Sequence, residues 1–406
     1  MSSVFRPHLH VVIYSPFPRY SGGRENWLYN VLRQLDRLGY GVTVYALKSD
    51  RPLFYDLGSL SSVRLVSIPN LRQRSRLFQL ANALTLRALW LVDSMYWFPR
   101  ATSHWLMHNV QDGDVILAMN PIIDIAPALH LRLVGRRFRL VCSVRGLCAM
   151  ELSRAIPYLG KTFYRLEKQT LAKADRILAN GYDTQAYLQT AGFDSWVIFN
   201  GVDVARFSNP NLDDPALAQV KDWHDQGIKI VATVATLGRI KGILSLLRAA
   251  WVLKTVYSKP FRGVFIGKGN PKPYQRYARE LGLTSEVYFA GEQANISGFL
   301  YYADVLACLS GGAGMAMACI EGMAASRTII AWDTPVYRQL IEHGKSGWLV
   351  PHGDDQSLGE AIGMLLESPG LASRLGHRAQ ADAMRYDWTG VVQQLVPALY
   401  EWDEVR

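Results

Sequence analysis

The sequence is poor in the residues that staple or metallate a fold. Only four cysteines occur in 406 residues, Cys142, Cys148, Cys308 and Cys319. None forms a Cys-x-x-Cys pair and no histidine-rich segment accompanies them, which argues against a zinc site or a disulfide framework and points to a reducing, cytoplasmic setting. Long apolar runs are lacking as well. The strongest candidate membrane span, Phe78 to Phe98, is interrupted by Arg87 and Asp93, both costly at a bilayer centre. The first apolar run is short and stops at Pro16 and Pro18, so no signal peptide is expected. There is no low-complexity tract, heptad series or short repeat. A P-loop is missing too: GKT at 160–162 and GKS at 344–346 have Ala155 and Gln339 where the leading glycine belongs, and kinase or ATPase chemistry falls away.

What is present is a globular composition, 49% hydrophobic and 19% charged, in a chain long enough for two domains with separate cores. Its charge is lopsided. Residues 1–200 hold 24 Lys+Arg against 13 Asp+Glu, a net of +11, whereas the remaining 206 hold 20 against 21. An anionic partner of the first half is one reading: a lipid surface, a phosphate-bearing acceptor or a nucleic acid. A merely soluble basic surface is the other. No RRM, KH, helix-turn-helix or zinc-finger pattern accompanies the charge, which disfavours nucleic acid.

Along the chain, strands alternate with helices. A β-rich run at 8–15 leads to a loop with Gly22 and Gly23. Leu28, Val31, Leu32, Leu35 and Leu38 then recur at helical spacing before Gly39, and Val42 to Leu47 reads as the next strand. Further apolar strands are predicted at 114–119, 139–144, 174–180 and 195–200. Residues 200–216 turn polar and rich in Asn, Asp and Pro, a linker. A second alternating series begins at Ile228. The pattern predicts two α/β domains with parallel sheets, 1–200 and 215–385, with ligands at the carboxyl ends of the strands. An amphipathic helix within 386–406 is expected to pack back on the first domain.

Several motifs stand in a specific order: SGGRE at 21–25, ILANG and VIFNGVDVARF around 177–207, LGRIKG at 237–242, IGKGN at 266–270, EVYFAG at 286–291, and IEGMAA with HGKSGWLVPHGD from 320 to 354. Together they resemble the retaining glycosyltransferases of family four. The resemblance covers most of the chain and is weakest between about Arg51 and Val110. It implies the GT-B fold, two Rossmann-like domains whose parallel sheets face across a cleft. It also implies metal-independent transfer without a cofactor, from a nucleotide-sugar co-substrate held by the second domain to an acceptor held by the first.

Residue by residue, the resemblance makes Lys241 the clamp on the donor phosphates, with Arg239 a second candidate cation, and Glu321 the acid that bonds the nucleotide ribose. Gly267 and Gly269, and Gly312 and Gly314, are expected at the donor. Gly22 and Gly23 precede a helix, where backbone N–H groups can meet a phosphate, although a plain strand-to-helix turn explains them equally. Arg24, Glu25 and Asn120 are expected on the acceptor side, Glu25 alternatively as a partner of the helix dipole. Glu321 is alternatively a surface acid of its helix.

Three positions depart from the family pattern. Ala313 stands eight residues before Glu321, where a glutamate near the transferred sugar belongs. Thr236 lies where the phosphate-clamping arginine is usual. Arg145 replaces a cleft histidine; a guanidinium binds anions but does not shuttle protons near neutral pH.

The segment from Asn70 to His108 mixes Arg72, Arg74, Arg76, Arg87 and Arg100 with Trp90, Tyr96, Trp97, Phe98 and Trp105. This composition suits either an interfacial element on anionic lipid or a pair of core-covering helices with solvated arginines. The resulting expectation is a retaining hexosyltransferase, cytoplasmic or peripheral on the inner face of the plasma membrane. It would extend a glycan or lipid-linked acceptor in cell-surface polysaccharide or glycolipid synthesis. A degraded homologue acting as a binding or partner subunit, and a polyanion-binding module, are the alternatives.

Overall fold

The computed structural model describes residues 7–15, 23–48, 56–69, 90–145, 149, 152, 156, 159–311 and 316–402. The chain divides into two compact units. One comprises Met1–Gly201 with Val391–Arg406, the other Val202–Gly390.

The first unit is built on a seven-stranded parallel sheet. Its strands are β1 (Leu9–Ile13), β2 (Val42–Leu47), β3 (Val63–Ile68), β4 (Val115–Ala118), β5 (Arg139–Val144), β6 (Arg176–Ala179) and β7 (Trp196–Val197), in the order β3-β2-β1-β4-β5-β6-β7. Leu9 registers with Val42 on one side and Val115 on the other. Strands this central are covered on both faces, so β1 and β4 are apolar at nearly every position. The exception is His10, buried, whose Nε2 lies 3.1 Å from Asp114 Oδ2 and whose Nδ1 lies 3.2 Å from the Tyr45 hydroxyl.

Helix α1 (Gly23–Arg37) buries Trp27, Leu28, Val31, Leu32 and Leu35 at spacings of three and four. It stops because Gly39 takes φ +73°, with its N–H bonded to Asp36 O and that of Tyr40 to Leu35 O. Leu38, expected in the core, falls past this stop and is 51% exposed. A π-turn at Asp93–Trp97 runs into α2 (Phe98–Asn109). Then come α3 (Ala126–Leu133), α4 (Gly160–Leu171) and α5 (Tyr182–Thr190).

The second unit repeats the design with six strands: β8 (Lys229–Val234), β9 (Phe261–Ile266), β10 (Val287–Gly291), β11 (Val305–Cys308), β12 (Thr328–Trp332) and β13 (Trp348–Val350). Their order is β10-β9-β8-β11-β12-β13, every pairing parallel. Between them lie α6 (Ala218–Asp225), α7 (Ile243–Val256), α8 (Lys272–Glu280), α9 (Ile296–Tyr302), α10 (Met317–Ala324), α11 (Asp355–Glu367) and α12 (Pro369–Ala383). In both sheets the strand order reverses beside the first strand, after β1 and after β8. Such reversal points open a crevice at the carboxyl ends where ligands bind.

The last helix, α13 (Trp388–Tyr400), belongs for the most part to the first unit. Arg139 donates to Tyr400 O, and Arg176 donates to Pro397 O, Ala398 O and Glu401 O. Two strand-borne guanidinium groups thus satisfy the orphan carbonyls at the helix C-terminus, and both lie against Trp402.

Candidate functional site

At the reversal point of the second sheet, between the carboxyl ends of β8 and β11, lies a cavity of about 250 Å³. Thr236, Lys241, Ser310, Cys319 and Tyr337 are among its lining residues. Lys241 reaches it from a 3₁₀ turn over Arg239–Lys241. Gly242 makes that turn: it adopts φ +72°, and a Cβ there would come within 2.4 Å of Leu309 Cβ. Only glycine lets the turn press against the end of β11 in this conformation. The ammonium of Lys241 donates to Ser310 Oγ at 3.3 Å, and no carboxylate among the described residues pairs with it. The loop beyond β11 is held at its start, with Ser310 N–H donating to the Tyr337 hydroxyl and Gly311 N–H to Ile240 O. Thr236 lines the cavity. Gly312, Ala313 and Gly314 lie outside the described residues, as does the side chain of Arg239.

Gly267 and Gly269 bring the turn after β9 against the end of β8. Cβ atoms there would meet Ala235 O at 2.1 Å and Leu237 Cβ at 2.7 Å. The N–H of Gly267 is already donated to Gly291 O. These glycines therefore permit the close approach of two backbones at the ends of β8 and β9.

Glu321 sits on α10, one turn beyond the residues of that helix that line the cavity. It is half-buried, and among the described residues its carboxylate forms no hydrogen bond. Burial pushes its carboxyl up to about 7, with the nearby charge of Arg206 opposing the rise. Cys308 and Cys319 are buried free thiols facing the cavity. Hydrogen bonding to Cys319, together with burial, pushes the Cys308 thiol up.

In the first unit, Gly23 opens α1 with no atom within 4 Å of where a Cβ would lie; Gly22 is outside the described residues. Arg24 donates to Asp124 Oδ2 at 3.4 Å and to Tyr14 O at 3.3 Å, and lies 3.7 Å from Glu25. Glu25 is 4% exposed. Asp124 is fully buried and accepts the N–H of Tyr14 at 2.6 Å. Its carboxyl is raised to about 7 by burial, against the pull of Arg24. Asn120 turns inward, its Oδ1 accepting the N–H groups of Ile122 and Ile123, which makes it a cap of the turn before α3.

Arg145 is similarly engaged. Its guanidinium donates to Ser143 Oγ, Asn200 Oδ1 and Ile198 O and stacks on Trp27. These contacts tie the end of β5 to α1 and to the chain at 198–200.

Of the segment from Asn70 to His108, residues 70–89 lie outside the description. The rest is one helical run that buries Phe98, Thr102, Ser103 and Leu106 and exposes Val92, Tyr96 and Trp105 beside Arg100. It thus covers the core with one face and presents aromatic and basic groups on the other. No helix among the described residues is long and apolar enough to cross a membrane.

Sequence reasoning missed Asp124, Ser310, Tyr337 and Arg206. Asp124 stands just before a helix starting Ala-Pro, an acid where a helix N-terminus favours one, but its burial under Tyr14 is a tertiary fact.

Two Rossmann-like units with parallel sheets define the GT-B class. Anabaena HepE, solved in complex with UDP, has this fold: the two superpose with a TM-score of 0.75 over 97% of this chain and 100% of that one, at 19% identity. Each unit also matches a glycosyltransferase family, residues 21–206 the one described as Glycosyltransferase Family 4 and residues 219–382 the one described as Glycosyl transferases group 1. Among curated relatives, the phosphatidyl-myo-inositol mannosyltransferase of Mycolicibacterium smegmatis is 29% identical over 229 residues, 54% of this chain and 55% of that protein. The D-inositol 3-phosphate glycosyltransferase of Corynebacterium urealyticum is 27% identical over 244 residues, 57% of each. The match therefore spans less than two thirds of these relatives.

Proposed function

We propose that the protein transfers a sugar, with retention of anomeric configuration and without a metal ion, from a nucleotide-sugar to a glycan or lipid-linked acceptor. The observation that carries this reading is the ammonium of Lys241, set in a cavity at a strand-order reversal with, among the described residues, a serine hydroxyl as its only hydrogen-bond partner. Such a cation neutralises charge as it develops on a leaving diphosphate. A cavity of about 250 Å³ is smaller than sites that enclose a whole drug-sized ligand, roughly 300–1,000 Å³. It suits the diphosphate, with the nucleoside extending toward Glu321.

The first unit, with Arg24 and Glu25 at the end of β1, takes the acceptor. Its positive charge and the exposed Tyr96 and Trp105 of the helical run that includes α2 suit an anionic lipid surface, which fits a lipid-linked acceptor and a peripheral position on the inner face of the plasma membrane. On this reading the leaving phosphate accepts the proton of the acceptor hydroxyl on the same face of the sugar. The protein supplies orientation and charge, and the absence of the glutamate at Ala313 is tolerated. The test is calorimetric titration of UDP-glucose, GDP-mannose, ADP-glucose and TDP-glucose into the wild type and Lys241→Ala. Binding of one of them that the variant loses supports the donor site; binding of none overturns it.

A second reading, a homologue that binds without turnover, is favoured by one observation: the guanidinium of Arg145, which the resemblance would set in the cleft, is engaged by Ser143, Asn200 and Trp27. Nucleotide-sugar binding without any release of nucleoside diphosphate, across a panel of lipid-linked and free glycan acceptors, would establish it.

A further inference from the structure

The turn Val204–Ser208 is capped by Asp203, whose carboxylate accepts the backbone N–H of Arg206. It packs on both α9 and α10. From this turn the exposed side chain of Arg206 donates through Nη2 to Ala294 O at 2.9 Å. Ala294 belongs to the loop that leaves β10 after Gly291, at the same carboxyl edge of the sheet as the Lys241 cavity. The loop is otherwise tied by Gln293, which donates to Ala290 O, and by Asn295, which caps α9. The positive charge of Arg206 also acts on Glu321 of α10. One side chain therefore links a loop after β10 to an acid that has no hydrogen-bond partner among the described residues.

The surroundings leave Arg206 as the cation in this role. On β11 the ionisable group near Glu321 is the Cys308 thiol, and β12 presents no ionisable side chain. From α12, Gln380 bonds Ala324 O and Ser208 Oγ, and His377 faces Ser326 past the end of α10. The arrangement has little to offer stability, because an exposed arginine beside a half-buried acid gains little in water. It has much to offer a ligand with paired hydroxyls: an ionised carboxylate accepts two O–H groups at once, and a protonated one accepts more weakly.

Resting on the donor-site reading above, we propose that Arg206 is a positioning residue of that site. It fixes the loop after β10 beside Glu321 and supplies the positive charge against which this carboxylate accepts the two hydroxyls of the nucleotide ribose. The balance it tips is close, since burial holds the Glu321 carboxyl at about 7 even with the charge of Arg206 opposing the rise.

The test is the pH dependence of binding, by calorimetry, of whichever member of the four-sugar panel the wild type retains. These diphosphate diesters exchange no proton near neutrality, so a pH effect reports the protein. In the wild type, affinity falls as pH drops through about 7. In Arg206→Gln the fall moves to higher pH, and affinity at neutral pH is about 3–10-fold lower and recovers in alkali. Arg206→Lys keeps the charge and restores the profile. Glu321→Gln flattens it, and adding Arg206→Gln to that variant leaves it flat. A wild-type profile in Arg206→Gln, or a loss equal at every pH, overturns the inference while leaving the donor site standing. Failure of the wild type to bind any of the four sugars overturns both.

Discussion

Arg145 lies over the face of Trp27, its guanidinium carbon 3.5 Å from the ring centroid. The contact joins the end of β5 to the first turns of α1, and Arg145 Nη1 extends the tie to Asn200 Oδ1 at 2.6 Å. A desolvated cation–π pair contributes about 2 kcal/mol, and each hydrogen bond to a charged group about 1.5–3 kcal/mol. Arg145→Ala should therefore destabilise the first unit by about 3–5 kcal/mol, read by denaturant unfolding. Arg145→Lys, which cannot stack and bond as a plane, should recover less than half of that.

Lys241→Ala should lower the rate of nucleoside diphosphate release by about 10²–10³-fold with the melting temperature nearly unchanged, since among the described residues its ammonium bonds only Ser310. An equal rate in the variant would remove Lys241 from the chemistry.

Gly242→Ala combines a left-handed backbone with a clash against Leu309. The expected loss is about 2–4 kcal/mol of stability, with weaker nucleotide binding because Lys241 moves. Gly344→Ala is the control: φ is +74° but no atom lies within 4 Å, so roughly 1–2 kcal/mol is expected and binding stays intact.

Two buried groups of the first unit set opposite pH slopes. Burial pushes His10 from 6.5 down to about 4. Between these values the unfolded chain binds the extra proton, so this group makes stability fall by roughly 3 kcal/mol as pH drops from about 6.5 to about 4. Asp124 is raised from 3.8 to about 7 by burial. Here the folded state binds the proton, and its contribution falls by roughly 4 kcal/mol as pH rises through that window. In the wild type the two largely cancel. His10→Gln should unmask stability that declines toward neutral pH, and Asp124→Asn stability that declines toward acid. Parallel melting curves against pH for both variants would contradict the assignment.

The architecture was legible because its signals are local. Runs such as 9–13 and 305–308 are short, apolar and buried on both faces, and the glycine at 39 ends α1 as its position suggests. The strand expected at 195–200 is shorter in the structure: only Trp196 and Val197 pair, since the chain then turns toward Asn200 and its partner Arg145. Of the candidate site, the turn that carries Lys241 was legible through Gly242. Asn120 bonds only two and three residues ahead, but a lone Asn before a turn does not show which way its side chain faces. The inward contacts of Arg145 were not legible, because Trp27 and Asn200 lie far along the chain. Arg206 escaped for the same reason: nothing in its neighbours reveals that Ala294 and Glu321 converge on it.

Because α13 completes the first unit while the 189 residues of Val202–Gly390 form the second, the order of synthesis and the order of completion are reversed. The sheet that emerges first from the ribosome must wait for the helix that bonds to Arg139 and Arg176. At roughly 5–20 residues per second that wait is on the order of 10–40 s. In the interval the second unit is made whole, and the first stays unfinished along the edge where Trp402 will come to rest, a natural contact for a chaperone.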